Sequence, residues 1–189
     1  MKFNKHWDIK GQHAFLSPSQ YYWINDDEDR LEKRWHSMMA KQRGVELHEL
    51  AEICIKHGVR LAKNKNALNQ FVNDAIGFKM EPEQVLYYSP NCFGTADAIS
   101  FRKDRGSGKK LLRIHDLKTG EIPAHIEQLE VYAALFCLEY GYSPEDIDIE
   151  LRIYQFAEPY ILIPEPEDIA AIMGTIERDD KLLQLWMSE

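Results

Sequence analysis

The spacing of apolar residues changes character near residue 82. Before it, the pattern is helical. Ser17-Pro18-Ser19-Gln20 is a helix start: Ser17 can cap, Pro18 suits the first turn and Gln20 completes a capping box. Residues 31–43 read as a helix with Trp35, Met38 and Met39 on one side, Gly44 interrupts it, and helices follow over 45–63 and 66–78. Pro82 closes this half. After it, strands appear. Residues 85–88 form a short strand, and 93–101 and 111–118 flank Asp104-Arg105-Gly106-Ser107-Gly108, a hairpin turn. An apolar helix over 126–140 stops at Gly141, 147–154 alternates as a strand, and 160–163 is one more. An amphipathic helix over 167–186 ends the chain. This order predicts an α/β or α+β sandwich around a central sheet. The expected organisation is one domain over 1–189: a mainly helical part over 1–82, a sheet core with a crossing helix over 83–163, and a last helix over 164–189.

Composition adds limits. At 189 residues and 22.1 kDa, one domain is the natural size. No stretch approaches the ~18 apolar residues of a membrane span, and Met1–Gln12 has no apolar signal-peptide core. Cys54, Cys92 and Cys137 form no CxxC pair, so a disulfide scaffold, a zinc knuckle and a four-cysteine iron–sulfur cluster are unsupported. The expected setting is a reduced cytoplasm, or a host's cytoplasm for a viral protein. Net charge is −8, but residues 141–189 hold 12 acids and 3 bases, which leaves the rest of the chain near neutral. Acidity therefore does not exclude a nucleic-acid partner, provided metal ions and a local basic patch meet the phosphates.

Carboxylates gather on the hairpin. With the turn centred on Gly106-Ser107, paired residues have numbers summing to 213, and Asp97 falls opposite Asp116. Opposed residues have Cα atoms about 4.5–5.5 Å apart and side chains on one face. Lys118 projects from that face too, which continues through Ile99, Phe101, Leu112 and Ile114. The other face of the first strand carries the small residues Gly94, Ala96, Ala98 and Ser100, so a helix can pack closely there. Two like charges side by side need a neutraliser, and a hard divalent cation, Mg²⁺ or Mn²⁺, is the natural one. Two acids and a lysine around such a cation suit phosphodiester hydrolysis. The plainer reading is a pair of solubility charges with Lys118 as an ion-pair partner, and one β-bulge would reverse the facing of either strand.

Four segments sharpen the choice. Gly44-Val45-Glu46-Leu47-His48, with Glu52 one turn later, is similar to the first motif of the RecB-like, phage-exonuclease branch of the PD-(D/E)XK nuclease superfamily. Gly94-Thr95-Ala96-Asp97 resembles its second, Asp116-Leu117-Lys118-Thr119-Gly120 its third, and Gln128-Leu129-Glu130-Val131-Tyr132 the helix that follows. The resemblance spans roughly 15–155. It implies a restriction-endonuclease-like α/β core, a central mixed sheet flanked by helices, with a helical N-terminal part. It implies His48, Asp97 and Asp116 as metal ligands, with the Leu117 carbonyl as a further oxygen. Lys118 would orient water and stabilise the transition state, Glu52 would sit at the metal or behind its ligands, and Gln128 and Tyr132 would line the site. His48 and Glu52 share a helix face, as do Gln128 and Tyr132; Glu52 could equally pair with Lys56.

The expected activity is Mg²⁺-dependent DNA hydrolysis, with Mn²⁺ substituting, leaving 5′-phosphate and 3′-hydroxyl ends. An exonuclease of recombination, repair or phage DNA processing is favoured over an endonuclease or a catalytically silent DNA-binding protein. DNA is the expected partner, with a recombinase, single-strand-binding protein or replication factor as protein partners left open. Activity should fall below about pH 6, because a ligating imidazole must be neutral. Arg102, Lys103, Arg105, Lys109, Lys110 and Arg113 make a basic fingertip that could follow a DNA backbone, or simply keep a turn soluble. Tyr21, Tyr22, Trp23 and Trp35 could stack on bases, with core packing the favoured role.

Overall fold

The computed structural model describes residues 4–103 and 108–188, in two compact units, Met1–Arg43 and Gly44–Glu189. The hairpin turn expected at 104–108, and with it Arg105, falls mostly outside the described residues. In the first unit, the expected start at Ser17 opens a 3₁₀ helix, Pro18–Asn25, kinked at Gln20. The capping box does not form: Ser17 Oγ meets Ser19 Oγ at 2.8 Å and caps no backbone N–H. Tyr21, Tyr22 and Trp35 stay exposed, against the expected core packing. A segment this short has too little volume to bury four large rings. Arg34 instead holds Asp26 at 2.7 Å and lies over the Tyr22 and Phe15 rings.

Helix α1, Glu28–His57, carries the chain into the second unit and runs through Gly44 without the expected break. A mid-helix glycine costs only about 1 kcal/mol, and this one has a packing reason: a Cβ there would lie 3.0 Å from Thr119 Oγ1. The helix ends at His57, earlier than expected, where Val59 and Gly58 N–H groups return to the Cys54 and Ile55 carbonyls at 2.8 and 3.2 Å. Helix α2, Ala67–Gly77, is capped by Asn66, whose side chain accepts from the Asn69 N–H at 3.3 Å.

The sheet has five strands in sequence order: β1 Glu81–Ser89, β2 Cys92–Lys103, β3 Lys110–Leu117, β4 Ile147–Tyr154 and β5 Tyr160–Leu162. All neighbours are antiparallel except β3 and β4, which are parallel and joined through helix α3, Glu127–Tyr140. The fold is thus α/β with a mixed sheet flanked by helices. Pro82 lies inside β1 rather than ending the helical half, and an edge strand tolerates it. Helix α4, Pro166–Met187, is tied to the β1–β2 turn by Asp180, which accepts from Ser89 Oγ at 2.7 Å and Asn91 Nδ2 at 2.9 Å.

Two cores cover the sheet. Leu86, Ala96, Ile99, Leu112, Ile114 and Leu151 pack with Leu129 and Ala133 of α3 and Ile169 of α4. On the other side, Ala98, Leu117 and Tyr154 pack with Ala51 and Cys54 of α1 and Phe71 and Val72 of α2. Strand β2 breaks its alternation: Ala96 and Ile99, an odd number of residues apart, share one core while Ala98 joins the other. The break sits at Asp97, opposite Glu83, whose φ of +52° is in the left-handed region rare for a side chain like this one.

Candidate active site

The β2–β3 register matches the sequence expectation. Ala98 pairs with His115 and Ile99 with Ile114, and the ladder stops one step short of Asp97 and Asp116. There the strands part, and Asp97 Oδ2 accepts the Leu117 backbone N–H at 2.8 Å. Because alternation breaks at this point, Asp97 leaves the face of Ile99 and Phe101, contrary to the sequence expectation, and turns toward α1. His48 Nδ1 lies 3.4 Å from Asp97 Oδ2. A third candidate ligand joins them from β1. One ligand atom each of His48, Glu83 and Asp97 lies within 4.8 Å of the others, the only such grouping among the described residues. With Glu49 and Glu52 they line a hollow of about 300 Å³.

Glu83 escaped the sequence reading, although a signal existed. β1 and β2 pair with residue numbers summing to 180, as in Gln84↔Ala96 and Pro82↔Ala98. The hairpin arithmetic used for Asp116 places Glu83 opposite Asp97 as well.

Asp116, Lys118, Gln128 and Tyr132 form a second group. Asp116 is 3% exposed. Lys118 Nζ lies 3.0 Å from both its oxygens. It aims its hydrogen bond at Oδ1, so Oδ2 is buried with no hydrogen bond directed to it. The same ammonium donates to Gln128 Oε1 at 3.0 Å, and Gln128 Nε2 reaches Tyr132 Oη at 3.4 Å. Tyr132 lies against the backbone of Gly94; a Cβ there would fall 2.9 Å from its ring. The four sequence motifs therefore touch in pairs: Gly44 meets Thr119, His48 meets Asp97, Gly94 meets Tyr132, and Lys118 meets Gln128.

Electrostatics link the two groups. Burial, then the charge of Asp116, pushes the Asp97 carboxyl up to about 6, against the Leu117 N–H and His48, which favour its ionised form. Burial and Glu52 push Glu83 up as well. The site is short of positive charge, which suits a hard cation held by oxygen and imidazole donors. Glu52 lines the hollow but is ion-paired with Lys56. Leu117 is buried in the core beside α2, and its N–H is the group engaged by Asp97.

Gln155 is a further residue that sequence reasoning missed. Its Nε2 donates to the Gly120 and Ile122 carbonyls at 2.7 and 2.6 Å, and its Oε1 accepts from the Ala124 N–H at 2.9 Å. It thereby ties down the loop between Lys118 and Gln128. No local pattern marks it, because the contact joins segments more than thirty residues apart.

Among the described residues, the end of the basic fingertip is distant from Asp97, and four of its basic side chains are engaged. Lys103 pairs with Lys110, six residues from Asp97, or about 20 Å at ~3.3 Å per residue. Arg102 donates to the Lys79 carbonyl, Lys109 to the Glu145 carbonyl, Lys110 to Tyr142, and Arg113 to Glu150. Among the described residues no helix is long and apolar enough to cross a membrane. Comparison with family models, with curated proteins and with solved structures finds no match.

Proposed function

We propose that the chain is a divalent-metal-dependent deoxyribonuclease, an exonuclease in the favoured form, with its centre at His48, Asp97 and Asp116. What supports this reading above all is that His48, Glu83 and Asp97 meet where the β2–β3 ladder opens, with Asp116 and Lys118 in an adjoining group joined to them through the Leu117 N–H that Asp97 accepts. His48, Asp97 and Asp116 would hold Mg²⁺ or Mn²⁺, with Glu83 as a further carboxylate. When bound, the cation supplies Lewis acidity and lowers the pKa of its water. Lys118 is aimed by Gln128 and Asp116, and offers positive charge where the phosphoryl oxygens gain negative charge. Water's oxygen bonds to phosphorus and gives up a proton to bulk water, the bond to the 3′ oxygen breaks, and that oxygen takes a proton from bulk water. The ends are a 5′-phosphate and a 3′-hydroxyl.

The test is digestion of linear and closed-circular DNA with Mg²⁺ or Mn²⁺. Loss of linear duplex alone supports the exonuclease, and nicked circles support an endonuclease of the same chemistry. No cleavage with either metal overturns the hydrolytic reading and leaves a DNA-binding protein.

A further inference from the structure

One face of the β1–β2 hairpin leads away from the candidate site. Gly94 and Ala96 lie against α3 and its core, so Phe93 and Thr95 leave β2 on the other face, with Asp97. Leu86 of β1 faces that same core, so Val85 and Tyr87 project beside them, and Val85↔Thr95 and Tyr87↔Phe93 are direct partners. The Tyr87 and Phe93 rings stack with centroids 6.3 Å apart and planes 29° apart. They remain 46% and 61% exposed. Asp97 lies four positions beyond Phe93 along β2, about 13 Å at ~3.3 Å per residue. That equals about four stacked nucleotides at ~3.4 Å each.

Other occupants fit this face poorly. β1 is an edge strand, but the Tyr87 N–H is taken by Glu139 Oε2 at 2.8 Å, so an added strand finds its donor used. Val85, Tyr87 and Phe93 expose about 300 Å² together, well under the ~800 Å² per partner of a stable protein interface. Flat rings beside a site for backbone cleavage suit unpaired bases, which stack on aromatic side chains whatever their sequence. We propose that Tyr87 and Phe93 are a stacking platform for unpaired bases of the DNA strand cut at the Asp97 end of this face. The proposal rests on the hydrolytic reading and names its substrate: DNA with at least four unpaired nucleotides beside the cleaved bond.

The experiment uses the full chain and a fluorescein-labelled oligo-dT 12-mer, with Ca²⁺ in place of Mg²⁺ and anisotropy as the readout. Tyr87→Ala and Phe93→Ala should each weaken binding roughly ten-fold, while Tyr87→Phe and Phe93→Tyr bind as wild type does. An oligomer of abasic sugars should bind wild type weakly and lose nothing further in the alanine variants. Thermal midpoints are measured alongside, and Phe93→Leu, which keeps apolar bulk without a ring, carries the test where an alanine variant fails to fold. Undiminished binding by the ring-deleted variants overturns the platform, as does an equal loss with the abasic oligomer. Ring-dependent binding without cleavage in Mg²⁺ or Mn²⁺ supports the platform and overturns the hydrolytic reading. Cleavage with ring-independent binding does the reverse.

Discussion

Asp97 of β2 takes the backbone N–H of Leu117 in β3 through its carboxylate, at 2.8 Å, just beyond the last paired residues of the two strands. A side chain thus stands in for the missing ladder bond. The carboxylate is held at the open end of the hairpin, where burial and Asp116 make its ionised form costly.

That cost gives a pH dependence. Burial and Asp116 push the Asp97 carboxyl from its ordinary 3.8 up to about 6. An acid raised by folding binds more protons folded than unfolded, so stability falls as pH rises from about 4 to about 6. In thermal melts with EDTA, wild type should be less stable at pH 8 than at pH 5, by more than Asp97→Asn is. Mn²⁺ should restore the wild-type midpoint at pH 8 and leave the variant unmoved. Equal pH dependence in both proteins would refute the assignment.

Asp116→Asn keeps the shape of the side chain while removing its charge. Cleavage should drop at least about a hundred-fold, with an unchanged far-ultraviolet circular dichroism spectrum. A variant that digests linear DNA as wild type does removes Asp116 from the site.

Gly94→Ala should cost about 1–3 kcal/mol in urea denaturation, because the new Cβ meets the Tyr132 ring at 2.9 Å. The cost should shrink in a Tyr132→Leu background, as expected for two residues in direct contact. Equal costs in both backgrounds would show that Tyr132 is not what the glycine accommodates.

Gln155→Leu keeps the volume and removes three hydrogen bonds to loop 120–124. Stability should fall by about 2 kcal/mol, and amide exchange across 120–124 should accelerate more than in α3. Uniform acceleration throughout the unit would instead mark an ordinary loss of stability.

Glu150 governs the acid limb. Burial pushes its carboxyl upward, but His115, Arg152 and Arg113 outweigh burial and hold it at about 2. The two arginine Nε groups each lie 3.0 Å from Oε1. A depressed acid stabilises the fold above its ordinary range, about 4.5, and that support is lost as pH falls toward 2. Glu150→Gln should lose about 1–3 kcal/mol at pH 7 and show a flatter decline below pH 4.5. Parallel acid titrations of the two proteins would contradict this.

Local chemistry made much of this legible. Period-two alternation and one turn sufficed for the β2–β3 register, since strand pairing in a hairpin is arithmetic once the turn is placed. The crossing helix, expected over 126–140 and found over Glu127–Tyr140, was legible from spacing and from Gly141, as the β4 limits Ile147–Tyr154 were from alternation. Helix limits in α1 were less legible, because Gly44 serves a distant contact with Thr119 and not a helix end.

What the amino-acid order determined was therefore local: which stretches pair, which turn and which carry acids at fixed spacing. The tertiary structure alone decided which way Asp97 faces, because the left-handed Glu83 and the gap in the ladder depend on β1, β2 and α1 meeting. It alone recruited Gln155, whose partners lie more than thirty residues away, and it brought Glu83, whose place opposite Asp97 hairpin arithmetic contains, in beside His48. Side-chain direction at a break in a sheet is set by what packs on either face, and no periodicity along one strand contains that.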